Sequence, residues 1–241
     1  MSLGNPLGNP LGNPLGLAQT GGAVKSIKSE TIFLTSGLGV FTIDRKLYSF
    51  YRVTCVGAGG GARNNSTPYG GGGGALAMSP ILPVRSNVDI AYSVGLGGAS
   101  GSTTGVKGGD SIATFLDQSL TAGGGLPGTS GGKGVGGTAT GGLVNHSGGT
   151  ATSNSAGGSA AGTGADGTSV ANPNTGGLGA GVGYGGYAVV PFEGPTLAVT
   201  PVPGQSTSGG SGCIGGGGAG AGTSTSATPV GGDGWVRIEL W

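Results

Sequence analysis

The sequence predicts an all-β fold: a β-sandwich of jelly-roll-like type, interrupted by a long glycine-rich insertion. Three observations lead there. Val88, Ile90, Tyr92 and Val94 alternate with Asp89, Ala91 and Ser93, the period-two pattern of a half-buried strand. The last residues, Gly234-Trp-Val-Arg-Ile-Glu-Leu-Trp241, alternate just as cleanly. No segment carries helical periodicity of useful length, and 63 of the 241 residues are glycine. Glycine is about 7% of an average protein, so the excess is itself a structural signal.

The elements follow in chain order. Residues 3–16 read LGNPLGNPLGNPLG, which places Leu3, Leu7, Leu11 and Leu15 four residues apart with prolines between them. Proline lacks an N–H and restricts the residue before it, so no helix forms there. Asn-Pro favours turns. Leucines on an isolated arm cannot build a core, so residues 1–22 are read as a docking arm that lies on a partner or on sister chains. Residues 23–122 carry strand chemistry. Thr31–Thr35 leads through a Gly37-Leu-Gly39 turn into Val40–Ile43, and residues 48–56 are rich in aromatic and β-branched side chains. Residues 111–116 and 119–122 are weaker strand candidates.

Residues 123–232 form the glycine-rich insertion. Ordering glycine is costly, and long structureless loops are uncommon in compact domains. The segment is therefore either loose or packed backbone against backbone, as short polyproline II-type helices or tight glycine loops. A strict G-X-Y period is missing, which excludes a collagen triple helix. Residues 233–241 form a closing strand. Val236, Ile238 and Leu240 point one way, while Trp235, Arg237, Glu239 and Trp241 point the other. Its natural partners are the strands before residue 122. Each buried Val, Ile or Leu contributes roughly 1.5–3 kcal/mol, enough to hold both ends of the insertion in one sheet domain.

Composition limits the function classes. Charged residues are only 8%, the net charge is +1, and 35% of residues are hydrophobic. That combination is unlike intrinsic disorder, which pairs high net charge with low hydrophobicity. Nucleic-acid binders need basic patches, yet residues 134–232 contain no Lys or Arg and only Asp166 and Glu193 as acids. No nucleic acid is expected as a partner. No run of 18 apolar residues occurs, so no membrane insertion is expected either. The start, MSLGNP, lacks the pattern of a signal peptide, which points to synthesis in a cytoplasm. Cys55 and Cys213 are too few for a disulfide scaffold and too far apart to suggest a zinc site.

Candidate chemistry fails on inspection. Residues 53–62, VTCVGAGGGA, fit the G-x-G-x-x-G/A pattern of a dinucleotide-binding turn. That motif needs a following helix and an acidic residue about 20 positions on. Here RNNSTPYGGGGGALAM follows, which forbids the helix, and residues 79–83 (SPILP) hold no acid. The glycines read better as the start of a close-packed layer at a strand end. The stretch 128–133, GTSGGK, lacks the Ser or Thr that a P-loop needs after its lysine. The only histidine, His146, lies in a Gly/Ser tract that offers no rigid element to hold it. Gly108-Gly109-Asp110 lacks the nonapeptide period of calcium-binding β-rolls. No catalytic residue, cofactor site or metal site is expected.

A binding surface is the positive reading. Tyr184 and Tyr187 lie in GVGYGGYAVVPFEGP, followed by Phe192 and Glu193, and Tyr69 precedes a five-glycine run. Aromatic rings with polar tips, on a neutral hydroxyl-rich surface, suit stacking on sugar faces. Alternatively, the same rings fill gaps between glycine layers.

The order of pieces resembles a family. "TIFLTSGLGVFTI", "YRVTCVGAGGGA", "ALAMSPILPV", "VDIAYSVGLGGA", "GGDSIATF", "LTAGGG" and the closing "GGDGWVRIELW" are similar to glycine-rich fibre and adhesin proteins of tailed bacteriophages. The resemblance covers about residues 30–241. It implies a virion protein that binds a receptor on the bacterial surface. In the related T-even adhesins, glycine-rich polyproline II-type helices are sandwiched together and variable loops read the host. By that likeness, loops between 123 and 232 would read the receptor. The family supplies no catalytic residues, and the LGNP arm is not part of its pattern.

The expected function is thus a non-enzymatic phage receptor-binding protein in a tail fibre or other appendage. It would attach to a glycan or an outer-membrane receptor, and to other virion proteins through residues 1–22. A homo-oligomer is expected, with a trimer as the first candidate. The alternative is a structural head fibre or capsid decoration protein anchored by the same arm. An ice-binding or cell-wall protein would leave the arm without a purpose. A depolymerase would need acidic residues in a pattern that is absent.

Overall fold

A computed structural model describes residues 29–63, 69–151, 157–167, 169 and 230–241. Among the described residues the chain is all-β and has no helix. Eleven strands run in order: β1 Glu30–Leu34, β2 Leu38–Ile43, β3 Phe50–Val56, β4 Leu76–Met78, β5 Leu82–Pro83, β6 Val88–Ser93, β7 Ser111–Phe115, β8 Gln118–Ala122, β9 Ala139–Thr140, β10 Val144–His146 and β11 Trp235–Leu240. They form two antiparallel sheets. The first has the order β1-β11-β3-β4-β10, with β5 also on β3; the second is β2-β6-β7-β8-β9.

The closing strand β11 lies between β1 and β3, pairing Ile238 with Ile32 on one side and with Val53 on the other. One end of the chain is therefore central to a sheet whose other strands come from residues 30–146. The inner faces of the two sheets share one apolar core. Tyr51, Val53, Cys55, Val236, Ile238 and Leu240 come from the first sheet; Ile43, Val88, Ile90, Phe115 and Leu120 come from the second. The Tyr51 and Phe115 rings meet edge to face across the gap, with centroids 5.8 Å apart. Burial in β6 alternates as the sequence pattern requires, with Val88 and Ile90 inward and Asp89 and Ala91 outward.

The outer face of the first sheet departs from simple alternation. Trp235 and Arg237 are 4% and 2% exposed although they point away from the shared core. Trp235 joins Val56, Leu76, Ala160 and Ala161 in a second apolar cluster. Arg237 donates to Glu239, which also accepts two bonds from Arg52 at 2.6 and 2.9 Å. The sequence periodicity reports one buried face; the residues around 160 bury the other.

Beyond the strand ends the chain continues as extended glycine runs. Residues 57–62 leave β3 and residues 70–75 return into β4; 95–99 leave β6 and 105–109 return to β7; 123–128 leave β8 and 134–137 return to β9; 147–151 leave β10, and 231–234 enter β11. Residues 157–162 form one further run. These runs hydrogen-bond to one another mainly through backbone, and the bonds repeat every third residue. Gly57 and Gly60 donate to Ala75 and Gly72, while Ala58 and Gly61 donate to Gly109 and Val106. Gly125 and Gly128 donate to Ala58 and Gly61. Successive donors of one run thus reach different neighbours: Gly57, Ala58 and Gly59 donate to Ala75, Gly109 and Gly232.

Glycine is required because the runs lie too close for side chains. A β-carbon on Gly73 would stand 1.8 Å from the Ser159 carbonyl oxygen, and one on Gly97 would stand 1.8 Å from that of Gly231. Glycine packing is thus not confined to residues 123–232. Runs 57–62, 70–75 and 95–109 belong to it as well; within residues 23–122, read as sandwich strands, the sequence marked only VGAGGGA as the start of such a layer. Conversely, β9 and β10 are strands inside the expected insertion. The short paired segments there, Ala139–Thr140 and Val144–His146, are too brief to show a period in sequence.

Candidate functional site

The runs leave and re-enter the sheets at one end, so their connecting loops gather at the other. Two of these loops, and the closing pair of a third, lie among the described residues. Arg63 and Tyr69 close the first by pairing their backbones, with N–H donors at 2.9 and 3.3 Å from the opposite carbonyls. The Arg63 guanidinium sits 5.7 Å from the centre of the Tyr69 ring. The second loop, 100–104, is tied on by the Gly101 N–H, which donates to the Ala62 carbonyl at 3.1 Å. The third, 129–133, is a tight turn in which Thr129 and Gly132 pair. Its base is fixed by the Gly128 N–H donating to the Gly61 carbonyl at 3.0 Å.

The tip therefore presents Ser102, Thr103, Thr104, Ser130 and Lys133, all exposed, beside the half-buried Arg63–Tyr69 pair. Hydroxyls and one cation–aromatic pair are groups that suit polar ligands such as sugars. Their bases are anchored to backbone that cannot shift without loss of several lattice bonds. Loops held this way pay little ordering cost if they bind a ligand.

Of the aromatic residues singled out in the sequence, Tyr69 lies in this tip. Tyr184, Tyr187 and Phe192 lie outside the described residues, as do Leu3, Leu7, Leu11 and Leu15 of the arm. Arg63 was not anticipated: a lone arginine before NNSTP carries no signal until Tyr69 is brought back beside it.

At the sheet end of the lattice, carboxylates complete bonds that glycine runs leave over. Asp110 accepts from the Gly124 N–H at 2.8 Å and from Lys107 Nζ at 2.7 Å. Burial pushes the Asp110 carboxyl up, but these two donors and the Lys107 charge outweigh it, so the group titrates below the ordinary aspartate value. Asp233 accepts from the Gly97 N–H at 2.7 Å. His146 is held after all. It lies on β10, paired with Leu76, and its Nδ1 is 3.1 Å from Asp166, which also accepts the Ser147 N–H at 2.9 Å. Through this pairing β4 supplies the rigid element that the flanking glycines hide in the sequence.

Among the described residues, no group of three or more His, Cys, Asp and Glu could hold a metal ion. No helix there is long and apolar enough to cross a membrane. Cys55 is a buried free thiol, and burial raises its pKa far above that of an exposed cysteine. Comparison with protein-family models and with curated proteins gives no match.

Proposed function

We propose that this chain is a non-enzymatic receptor-binding protein of a tailed-phage virion, attaching the particle to a glycan or outer-membrane protein on a bacterial surface. The observation that supports it most is the loop tip. Hydroxyl-rich turns and the Arg63–Tyr69 pair are mounted on closely packed glycine backbone, which is stiff without charged networks. In this reading the two sheets are a jelly-roll-like β-sandwich that serves as the mount. The glycine runs are polyproline II-type helices that carry the loops outward. Residues 1–22 dock Leu3, Leu7, Leu11 and Leu15 onto other virion proteins. Tyr184, Tyr187 and Phe192 extend the receptor-facing surface. The working unit is a homo-oligomer, with a trimer as the first candidate, and it needs no cofactor.

The test is binding of fluorescently labelled protein to a panel of bacterial strains. Selective binding to some strains is expected. Tyr69→Ala, and replacement of Ser102, Thr103 and Thr104 by glycine, should weaken it with an unchanged denaturation midpoint. Equal binding to every strain, or full retention by both variants, overturns the reading. The LGNP repeat supports a second reading, a head fibre or capsid decoration protein. Deleting residues 1–22 and asking whether tail or head loses the protein separates the two.

A further inference from the structure

The described glycine runs carry four large aliphatic residues, and all four turn outward. Leu96, Val106, Leu126 and Val135 are between 44% and 65% exposed. They also lie together. The Leu126 N–H donates to the Val135 carbonyl, and the Gly109 N–H donates to that of Leu96. Gly105 and Gly108 donate to Gly128 and Gly125, which sets Val106 beside Leu126. Runs 105–109, 123–128 and 134–137 are thus neighbours, and each also bonds to the buried runs 57–62 or 70–75. The lattice does not ask for aliphatic groups here. Its bonds are backbone bonds, which serine or threonine would make equally well, and such residues do fill exposed places at 102–104, 138 and 140. Single exposed apolar residues need no explanation, but adjacent ones mark a contact surface.

The surface continues onto the sandwich. The three runs join β7, β8 and β9, so they extend the outer face of the second sheet. The Val94 N–H donates to the Gly37 carbonyl, which brings β2 beside the start of run 95–99. Leu38 and Val40 of β2 are 84% and 63% exposed and alternate with the inward Phe41 and Ile43. Across from them stand Ser93 and Ala91, then Ile112 and Thr114. The charges on this face are already engaged: Lys107 pairs with Asp110 at 2.7 Å, and Asp89 accepts from Thr42 Oγ1 at 2.6 Å. Residues 105–115 span about 35 Å at about 3.2 Å per residue, and four strands at about 4.8 Å give a width of about 20 Å. The face is therefore roughly 700 Å², close to the about 800 Å² that each partner contributes to a stable interface.

We propose that this face docks a second copy of the chain, with Val106, Leu126 and Val135 of one copy against the same face of the other. A patch that meets its own copy makes a two-fold contact, so the state it predicts is a dimer and not the trimer considered first. A face without free charge suits that arrangement. Groups near the axis meet their own equivalents, which aliphatic and hydroxyl side chains tolerate and like charges do not. The proposal rests on the homo-oligomer put forward above, and it stands or falls separately from receptor binding.

Sedimentation equilibrium of the full-length protein tests it. The parent should have the mass of a dimer at micromolar concentration. Leu126→Asp combined with Val135→Asp sets carboxylates against each other across the contact. It should raise the concentration of half-dissociation by about tenfold or more, with a denaturation midpoint equal to that of the diluted parent. Ile81→Asp, at a 55%-exposed position between β4 and β5 on the other sheet, should leave the dimer intact. If the double aspartate variant does not fold, Leu126→Ser with Val135→Ser removes the aliphatic contact without adding charge and is read in its place. A trimeric parent overturns the proposal, as does a monomeric one, whether its own chain or nothing covers the face. So does a dimer that survives the substitutions at 126 and 135, or one that Ile81→Asp weakens equally. Strain selectivity is read separately from labelled protein: a monomeric parent that still selects among strains overturns this proposal alone.

Discussion

Gly61→Ala should cost about 2–5 kcal/mol of stability, and the figure follows from the geometry. A β-carbon on Gly61 would stand 1.9 Å from the Ala99 carbonyl oxygen and 2.7 Å from that of Gly98, where ordinary contact begins at 3.4 Å. Runs 57–62 and 95–101 would have to part by roughly 1.5 Å, the shortfall at Ala99. The Gly98 N–H donates to Gly59 at 2.9 Å and the Gly101 N–H to Ala62 at 3.1 Å. Separation takes both beyond hydrogen-bond range. Leaving buried backbone groups unpaired costs about 1–3 kcal/mol each. Reduced freedom of the unfolded chain returns about 0.4–1 kcal/mol for Gly→Ala. The net loss is a large share of the roughly 5–15 kcal/mol that holds a domain together. Urea denaturation followed by fluorescence of Trp235 and Trp241 measures it. Gly131→Ala is the control: its nearest neighbour is Thr129 Oγ1 at 3.9 Å, so a shift under about 0.5 kcal/mol is expected. A Gly61→Ala midpoint equal to that of the parent would refute the claim that close backbone packing fixes these runs.

Glu239→Gln removes the carboxylate that Arg52 and the 2%-exposed Arg237 share, and should cost about 3 kcal/mol in the same assay. The Asp110 carboxyl titrates below its ordinary value, so its contribution is fully present above about pH 3.9 and disappears as pH falls through the folded-state value. The stability difference between the parent and Asp110→Asn should therefore narrow on acidification, as read from denaturation midpoints between pH 7 and pH 3. Cys55 should resist a thiol reagent until the protein unfolds. In a Cys213→Ser background, modification at the rate of an exposed thiol would show that the shared core is open.

Much of the sheet framework was legible because strands write a period of two. β6 and β11 stood out for that reason, and β11 found its partners among the earlier strands through Ile32 and Val53. The short pairs were not legible, since β9 and β10 are held by β8 and β4 and not by any pattern of their own. The VGAGGGA stretch could be read correctly as close-packed backbone, because a helix could not follow it. Which runs it would touch could not be read, as glycine carries no side chain to mark a face. The tip shows the same limit. Tyr69 was visible as an aromatic ring among glycines, whereas Arg63 acquired meaning only when the chain returned beside it.

By itself, the sequence determined that the chain carries few charges and that its described residues are strands and side-chain-free backbone with no helix. Local sterics and alternation dictate those properties. Tertiary structure decided the order of the sheets, the pairing of the glycine runs and the burial of Trp235 and Arg237. Each depends on which distant carbonyl meets which N–H, and backbone groups are chemically identical along the chain until folding gives them partners.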